Sequence, residues 1–303
     1  MPCCDNINIM IRPKVRQFEY LVALDNQKSF SKAADICNVT QSTLSAGIKD
    51  LENVLGQQLV NRAGRSAVSL TAFGSEVASG ALGVLNDIDS IVASAQKMKS
   101  PLSGILRLGV IPTIAPYYLP HILPNLQKSF PDLQLQLYES LSADIISQLN
   151  SRQLDAAIIA FPYEVEGMVM HDLFKEDFYL AAPNDRCFPD SISVKDVDSD
   201  DLLLLEDGHC LRDHALGACK LRPSGKRKAF SATSLSTLIQ MVAHGYGTTL
   251  LPEMVTASVP SDIQLVPFSS PAPTRQIGMV WPSGSPLKRD LLCLLDAVRN
   301  IKI

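Results

Sequence analysis

Apolar positions near the N-terminus recur at helical spacing. Phe18, Leu21 and Val22 form one face of a first helix, Ser31–Cys37 reads as a compact second helix of small residues, and Leu44, Ile48, Leu51 and Leu55 make the buried stripe of a third. Thr40 is placed to cap the third helix and Gly56 to end it. The face away from that stripe carries Gln41, Ser42, Thr43, Ser45 and Lys49. Two helices joined by a tight turn, the second opening on small polar residues, have the build of a helix-turn-helix. The second helix of that motif enters a groove about 12 Å wide, where hydroxyls, amides and a lysine can meet base edges or phosphates. The plainer reading is a helical hairpin with a solvated face. Arg62-Ala-Gly-Arg65, followed by alternating Ser66–Leu70, predicts a wing that presents Arg62 and Arg65 to a backbone or minor groove.

From Thr71 onward the rhythm lengthens. Val77, Ala81, Val84, Ile88, Ile91, Ala95 and Met98 are spaced 4, 3, 4, 3, 4, 3, a heptad seam that buries itself best against a partner helix. Ser100-Pro101 ends it. Beyond lies a body of alternating short strands and helices. Ile105–Val110, Leu133–Leu137, Ala156–Ala160, Phe178–Ala182, Leu202–Leu205, Thr248–Leu251 and Ile277–Trp281 read as strands. Asp144–Leu149, Leu235–Val242 and Leu287–Val298 read as amphipathic helices. The pattern predicts an α/β body with a largely parallel sheet, as one domain or as two lobes around a cleft. The expected division is a winged helix-turn-helix over 1–71, a linker and dimerisation helix over 72–100, and a body over 101–303.

Charge sharpens this division. The whole chain carries 27 Lys and Arg against 31 Asp and Glu, but residues 1–66 hold 8 against 6 and the remainder 19 against 25. A mildly basic head on an acidic body suits a protein in which only the head meets phosphates. No apolar run reaches the roughly 18 residues of a membrane span, and no secretory signal is visible, so a cytoplasmic location is expected. Seven cysteines in a reducing compartment argue against a disulfide scaffold and for metal or redox chemistry. His209, Cys210, His214 and Cys219 have the ligand types for zinc, but adjacent His209 and Cys210 make awkward joint ligands and no CxxC is present, so no metal and no cofactor is expected. Cys37 and Cys293 read as packing thiols. Cys187 lies in a turn, and Cys3 and Cys4 in a tail.

The helix-turn-helix Ser31–Leu55, the trailing Leu59…Arg62…Arg65…Leu70-Thr71-Ala72…Gly74, the heptad linker and the α/β body together resemble the LysR-type transcriptional regulators. The fold this implies ends in a two-lobed, periplasmic-binding-protein-like regulatory domain, lobe I about 101–174 and 276–303, lobe II about 175–275. Glu206-Asp-Gly-His-Cys-Leu-Arg-Asp-His-Ala-Leu-Gly-Ala-Cys219, Gly109-Val-Ile-Pro-Thr113 and Arg275-Gln-Ile-Gly-Met-Val-Trp281 resemble the peroxide-sensing, OxyR-like branch of that family. The resemblance implies that Cys210 reacts with hydrogen peroxide, that Cys219 resolves it as a disulfide, and that Thr113, His209 and Arg275 line the pocket. Ser142 stands where the branch has a Thr. It further implies double-stranded promoter DNA, hydrogen peroxide, a cellular thiol reductant and RNA polymerase as partners, a homodimer or homotetramer, and no enzymatic turnover.

The chemistry needs a thiolate, which His209 and Arg275 would favour as cations beside Cys210. Leu211–Leu216, stopped by Gly217, reads as a short helix. A continuous helix would hold Cys210 and Cys219 about 13.5 Å apart and an extended chain about 30 Å apart, whereas a disulfide needs Cα atoms roughly 4.4–6.8 Å apart. Bridging therefore requires residues near 208–220 to refold. A regulator answering a small ligand in the cleft, a thiol peroxidase and a metal sensor are the alternative readings.

Overall fold

The computed structural model describes residues 12–61, 68–96, 102–163, 166–219 and 231–299. They fall into two compact units, one running to Val92 and including Ser151–Gln153, the other formed by Ala93–Asn150 and Leu154–Ile303.

In the first unit α1 (Val15–Gln27), α2 (Phe30–Ile36) and α3 (Gln41–Leu55) close around Leu21, Leu24, Ala33, Leu44, Ile48 and Leu51. The caps of α3 form as the sequence predicts: the Thr43 N–H donates to the Thr40 hydroxyl at 3.2 Å, and Gly56 turns the chain at φ +72°. Glycine at 47 lets α1 and α3 cross closely, because a Cβ there would lie 2.6 Å from the Tyr20 ring. β1 (Val60–Asn61) pairs antiparallel with β2 (Ser69–Leu70), giving the stem of the expected wing. Arg62 and Arg65 lie outside the described residues. The buried Glu52 carboxylate accepts the N–H groups of Leu59 and Val60 at 2.9 and 3.3 Å, tying α3 to β1. α4 (Ala72–Gln96) opens on Thr71, whose hydroxyl accepts from the Gly74 N–H at 2.9 Å. Of the predicted seam, Ala81 is buried, whereas Val84 and Ile91 are exposed together with Val92. The Ala95 side chain and Met98 lie outside the described residues.

The second unit contains β3 (Gly104–Val110), α5 (Ala115–Ser129), β4 (Leu133–Glu139), α6 (Ser142–Asn150), β5 (Ala156–Phe161), β6 (Met168–Pro183), β7 (Leu204–Leu205), α7 (Cys210–Cys219), β8 (Ser231–Ala232), α8 (Leu235–Ala243), β9 (Thr249–Pro252), β10 (Ile263–Pro267), β11 (Thr274–Pro282) and α9 (Lys288–Arg299). The main sheet runs β10–β6–β11–β5–β3–β4, with β9 also on β6. The expectation of a largely parallel sheet is corrected. β3 is parallel to β4 and β5, but β11 is antiparallel to β5 and β6, and β9 and β10 are antiparallel to β6. The cause is β6. Its first ten residues, Met168–Asp177, pair with β11, and Phe178–Pro183 pair with β9 and β10, so one strand runs through both halves of a mixed sheet.

Helix α5 has no counterpart in the sequence analysis, because Pro120 and Pro124 sit inside it. Both are exposed, as is Pro116, so the carbonyls that lose a partner face solvent and the buried side of the helix stays regular. Its Tyr118 is buried against α9 and donates to the Val298 carbonyl at 3.0 Å. No helix among the described residues is long and apolar enough to cross a membrane.

Gly278, in the centre of β11, leaves no room for a side chain: a Cβ would lie 2.7 Å from the His171 carbonyl oxygen and 2.3 Å from the Phe161 ring. Gly278→Ala is expected to destabilise the protein by about 1–3 kcal/mol, read as a lowered thermal midpoint.

Candidate functional site

The recess that matters lies in the second unit, at the C-terminal ends of the parallel strands β3 and β4, where ligands of open α/β sheets collect. It is lined by Ile111, Pro112, Thr113, Leu141, Ser142, Gly208, His209 and Cys210. Thr113 sits in the turn between β3 and α5. Ser142 is the first residue of α6 and Cys210 the first of α7. Three helix N-termini therefore border the recess, an arrangement that favours an anion. Gly208 makes the entry to α7 possible, since its φ of +97° suits only glycine.

Thr113, Ser142, His209, Cys210 and Arg275 are each buried. Arg275 stands behind Thr113, donating from Nη1 to its hydroxyl at 3.2 Å and from Nη2 to its carbonyl at 3.3 Å. Its Nε donates to Glu176 Oε1 at 2.7 Å, and Glu176 Oε2 accepts the Met254 N–H at 2.9 Å. The Ser142 hydroxyl is buried at the wall of the recess, where it acts on the Cys210 thiol.

Cys210 is a free thiol. Burial raises its pKa, and this outweighs the Ser142 hydroxyl and the Arg275 charge, which both favour the thiolate. Of the two cations expected to favour the thiolate, Arg275 acts in that direction, but burial outweighs it. His209 supplies no such cation, because burial lowers its pKa despite Glu206 and a hydrogen bond to the Thr233 backbone. His214, one turn after Cys210 on α7, is also lowered by burial. It contacts the Pro162 carbonyl through Nε2 at 3.1 Å and leaves Nδ1 buried without a partner.

α7 runs from Cys210 to Cys219, straight through Gly217. The predicted stop at Gly217 is therefore corrected: its φ is not left-handed, and a helical glycine costs only about 1 kcal/mol. Ten helical residues place the two cysteine Cα atoms about 13.5 Å apart along the axis. Arg212 pairs with Asp207 at 2.9 Å and donates to the Leu205 carbonyl at 3.3 Å, pinning the first turn of α7 to β7. Among the described residues no cluster of His, Cys, Asp and Glu could hold a metal ion.

In the first unit Gln41, Ser42, Thr43, Ser45 and Lys49 all lie exposed on α3. The Ser31 hydroxyl donates to Gln41 Oε1 at 2.9 Å, which orients the amide, and the hydroxyls of Thr40, Ser42 and Thr43 cluster within 2.9 Å contacts at the helix start.

Residues 15–75 match the bacterial regulatory helix-turn-helix of the lysR family, and residues 99–301 match the LysR substrate binding domain. The chain belongs to the LysR family of transcriptional regulators. This LysR-type regulator is 39% identical over 296 residues to the HTH-type transcriptional regulator EstR of Acinetobacter baylyi, covering 95% of this chain and 97% of that protein. It is also 39% identical over 292 residues to the hydrogen peroxide-inducible genes activator of Escherichia coli O157:H7, covering 94% of each. A full-length OxyR variant from Pseudomonas aeruginosa superposes with a TM-score of 0.78 at 34% identity, covering 96% of this chain and 99% of that one.

Sequence reasoning missed Glu176, the buried carboxylate behind Arg275. It sits in Lys175-Glu-Asp177, a charged run with no apolar rhythm to mark it as interior.

Because thiolate is the reacting form and burial raises the Cys210 pKa, alkylation of Cys210 should be slow at pH 7 and climb only above about 8.5, the range of an ordinary thiol. Ser142→Ala removes a group that favours the thiolate and should move the midpoint up by about half a unit, read by alkylation rate against pH.

Proposed function

We propose that this LysR-type regulator senses hydrogen peroxide with Cys210 and passes the signal to promoter DNA through α3. The observation that carries the reading is the recess itself: a free buried thiol at a helix N-terminus, facing the Ser142 hydroxyl, with a second cysteine at the far end of the same ten-residue helix. Similarity along nearly the whole chain to a hydrogen peroxide-inducible activator supports it.

In this reading the Cys210 thiolate attacks one oxygen of hydrogen peroxide. The O–O bond breaks, and the departing hydroxide takes a proton and leaves as water. Cys210 becomes a sulfenic acid, which condenses with the Cys219 thiol to a disulfide and releases a second water. Thr113, Ser142, His209 and Arg275 form the pocket that holds the peroxide oxygens. The bond cannot close across a helix, so residues near 208–220 refold. The head over 1–71 grips DNA through Gln41, Ser42, Thr43, Ser45, Lys49, Arg62 and Arg65. The helix over 72–100 pairs with a second copy through its apolar seam, where Val84 and Ile91 stand exposed, giving a homodimer or homotetramer. The body over 101–303 carries the sensor. A cytoplasmic thiol reductant returns the protein to its resting state, and RNA polymerase is the downstream partner.

Peptide mapping after micromolar peroxide tests the reading. Wild type should show a Cys210–Cys219 bond, and Cys219→Ser should stop at the sulfenic acid of Cys210. An unlinked pair in wild type overturns it.

Gly217 offers a second test. No atom lies within 4 Å of where its Cβ would be, so Gly217→Ala adds about 1 kcal/mol of helix stability without a clash. If α7 must unwind, disulfide formation should fall about fivefold at equilibrium against a glutathione buffer, while the first oxidation at Cys210 stays unchanged.

A further inference from the structure

Arg275 enters the proposed chemistry, yet its counter-ion has no role there. Arg275 and Glu176 are direct cross-strand partners in the β6–β11 ladder. Their side chains are 0% and 4% exposed, with Nε and Oε1 2.7 Å apart. The second carboxylate oxygen is taken by the Met254 N–H at 2.9 Å, so the carboxylate cannot swing away from the guanidinium. The other edge of the guanidinium holds Thr113 at the recess. Arg275 is the cation that acts on the Cys210 thiol.

We propose that Glu176 is a charge-setting, positioning residue for the sensor thiol: its carboxylate cancels much of the Arg275 charge felt by Cys210, and so keeps the resting thiol protonated and slow to react. The proposal rests on the reading of Cys210 as the sensing thiol and adds what sets its reactivity. A carboxylate and a guanidinium in contact act on a third group as a dipole, whose field falls off faster than that of the bare cation. The remaining groups around Cys210 do not replace that charge. The Ser142 hydroxyl from α6 and the Thr113 hydroxyl from the β3–α5 turn are neutral. Asp213, on α7 itself, acts against the thiolate, and the Tyr163 phenol beyond β5 feels the Cys210 charge as repulsion. His209, just ahead of α7, and His214, on it, are both shifted toward the neutral form by burial.

The test is alkylation of Cys210 by iodoacetamide in the reduced full chain, followed across pH by peptide mass mapping. Glu176→Gln keeps an oxygen for the Met254 N–H but removes the charge, and should lower the midpoint by about one unit. Glu176→Asp keeps the charge and should stay near wild type. Arg275→Gln should raise the midpoint by about one unit. The double variant Arg275→Gln with Glu176→Gln should return it close to wild type. The double variant leaves no bare buried charge, so it reports even where Glu176→Gln alone does not fold. A midpoint unmoved or raised by Glu176→Gln, or a double variant as high as Arg275→Gln alone, overturns the proposal. A role confined to packing would change the melting temperature and leave the midpoint in place. Alkylation needs neither peroxide nor Cys219, so a failure here is separate from a failure to form the Cys210–Cys219 bond.

Discussion

The buried pair of Arg275 and Glu176 is the interaction on which the sensor half of this molecule is built. Taking two ions out of water costs several kcal/mol each, and such a pair stands only when the remaining donors and acceptors are also met. Here they are. Glu176 uses its second oxygen on the Met254 N–H, and Arg275 uses its second edge on Thr113. The four residues come from β6, β11, the turn ahead of α5 and the segment after β9. They meet next to the place where β6 changes partners, between Asp177 and Phe178. One electrostatic contact thus fixes strand register, joins the two halves of the sheet and sets the wall of the recess.

The recess then holds a thiol between opposing forces. Burial drives Cys210 toward its neutral form, while the helix N-terminus, the Ser142 hydroxyl and what remains of the Arg275 charge pull the other way. Burial prevails at rest. Such a balance leaves the thiol protected from chance oxidation, yet a modest change in any of these terms alters the thiolate fraction several-fold, since one pKa unit corresponds to about 1.4 kcal/mol.

Much of this is legible in the chain, for definable reasons. The head can be read to the residue because caps and apolar spacing are local signals: Thr40 and Gly56 bound α3 where expected. The body is less legible because its shape depends on partners far apart in sequence. Only the second half of β6 alternates as a buried strand, and its first half carries exposed and charged side chains, so the antiparallel return of β11 leaves no trace. Pro120 and Pro124 hide α5, because sequence does not say that both face solvent. Gly217 looks like a stop, but a glycine ends a helix only if it turns left-handed. Cys210, His209, Thr113 and Arg275 are named only through the resemblance of their runs to the OxyR-like branch of the family. Whether His209 is charged, and that Glu176 answers Arg275, are properties of burial, which no run of residues displays.

Refolding of α7 is physically reasonable because little holds it as a helix. Ten residues are fewer than the roughly 12–15 an isolated helix needs, so its stability comes from contacts with β11 and β7. Two polar tethers at the surface or near it add to these: Arg212 to Asp207, an aspartate that is 92% exposed, and the His214 ring to the Pro162 carbonyl. An exposed ion pair contributes about 0–1 kcal/mol, and the helical Gly217 subtracts about 1 kcal/mol. Against this, in the proposed chemistry, stands a covalent step, the condensation of a sulfenic acid with a thiol, which forms the S–S bond and releases water. The ion pair and the Gly217 term are both small, so the remaining resistance must come from Leu211 and Ala215, the apolar residues that α7 buries in the core. Cys210 is buried in the same core cluster and lines the recess, so a refolding that withdraws α7 from the core would also take Cys210 out of the recess wall.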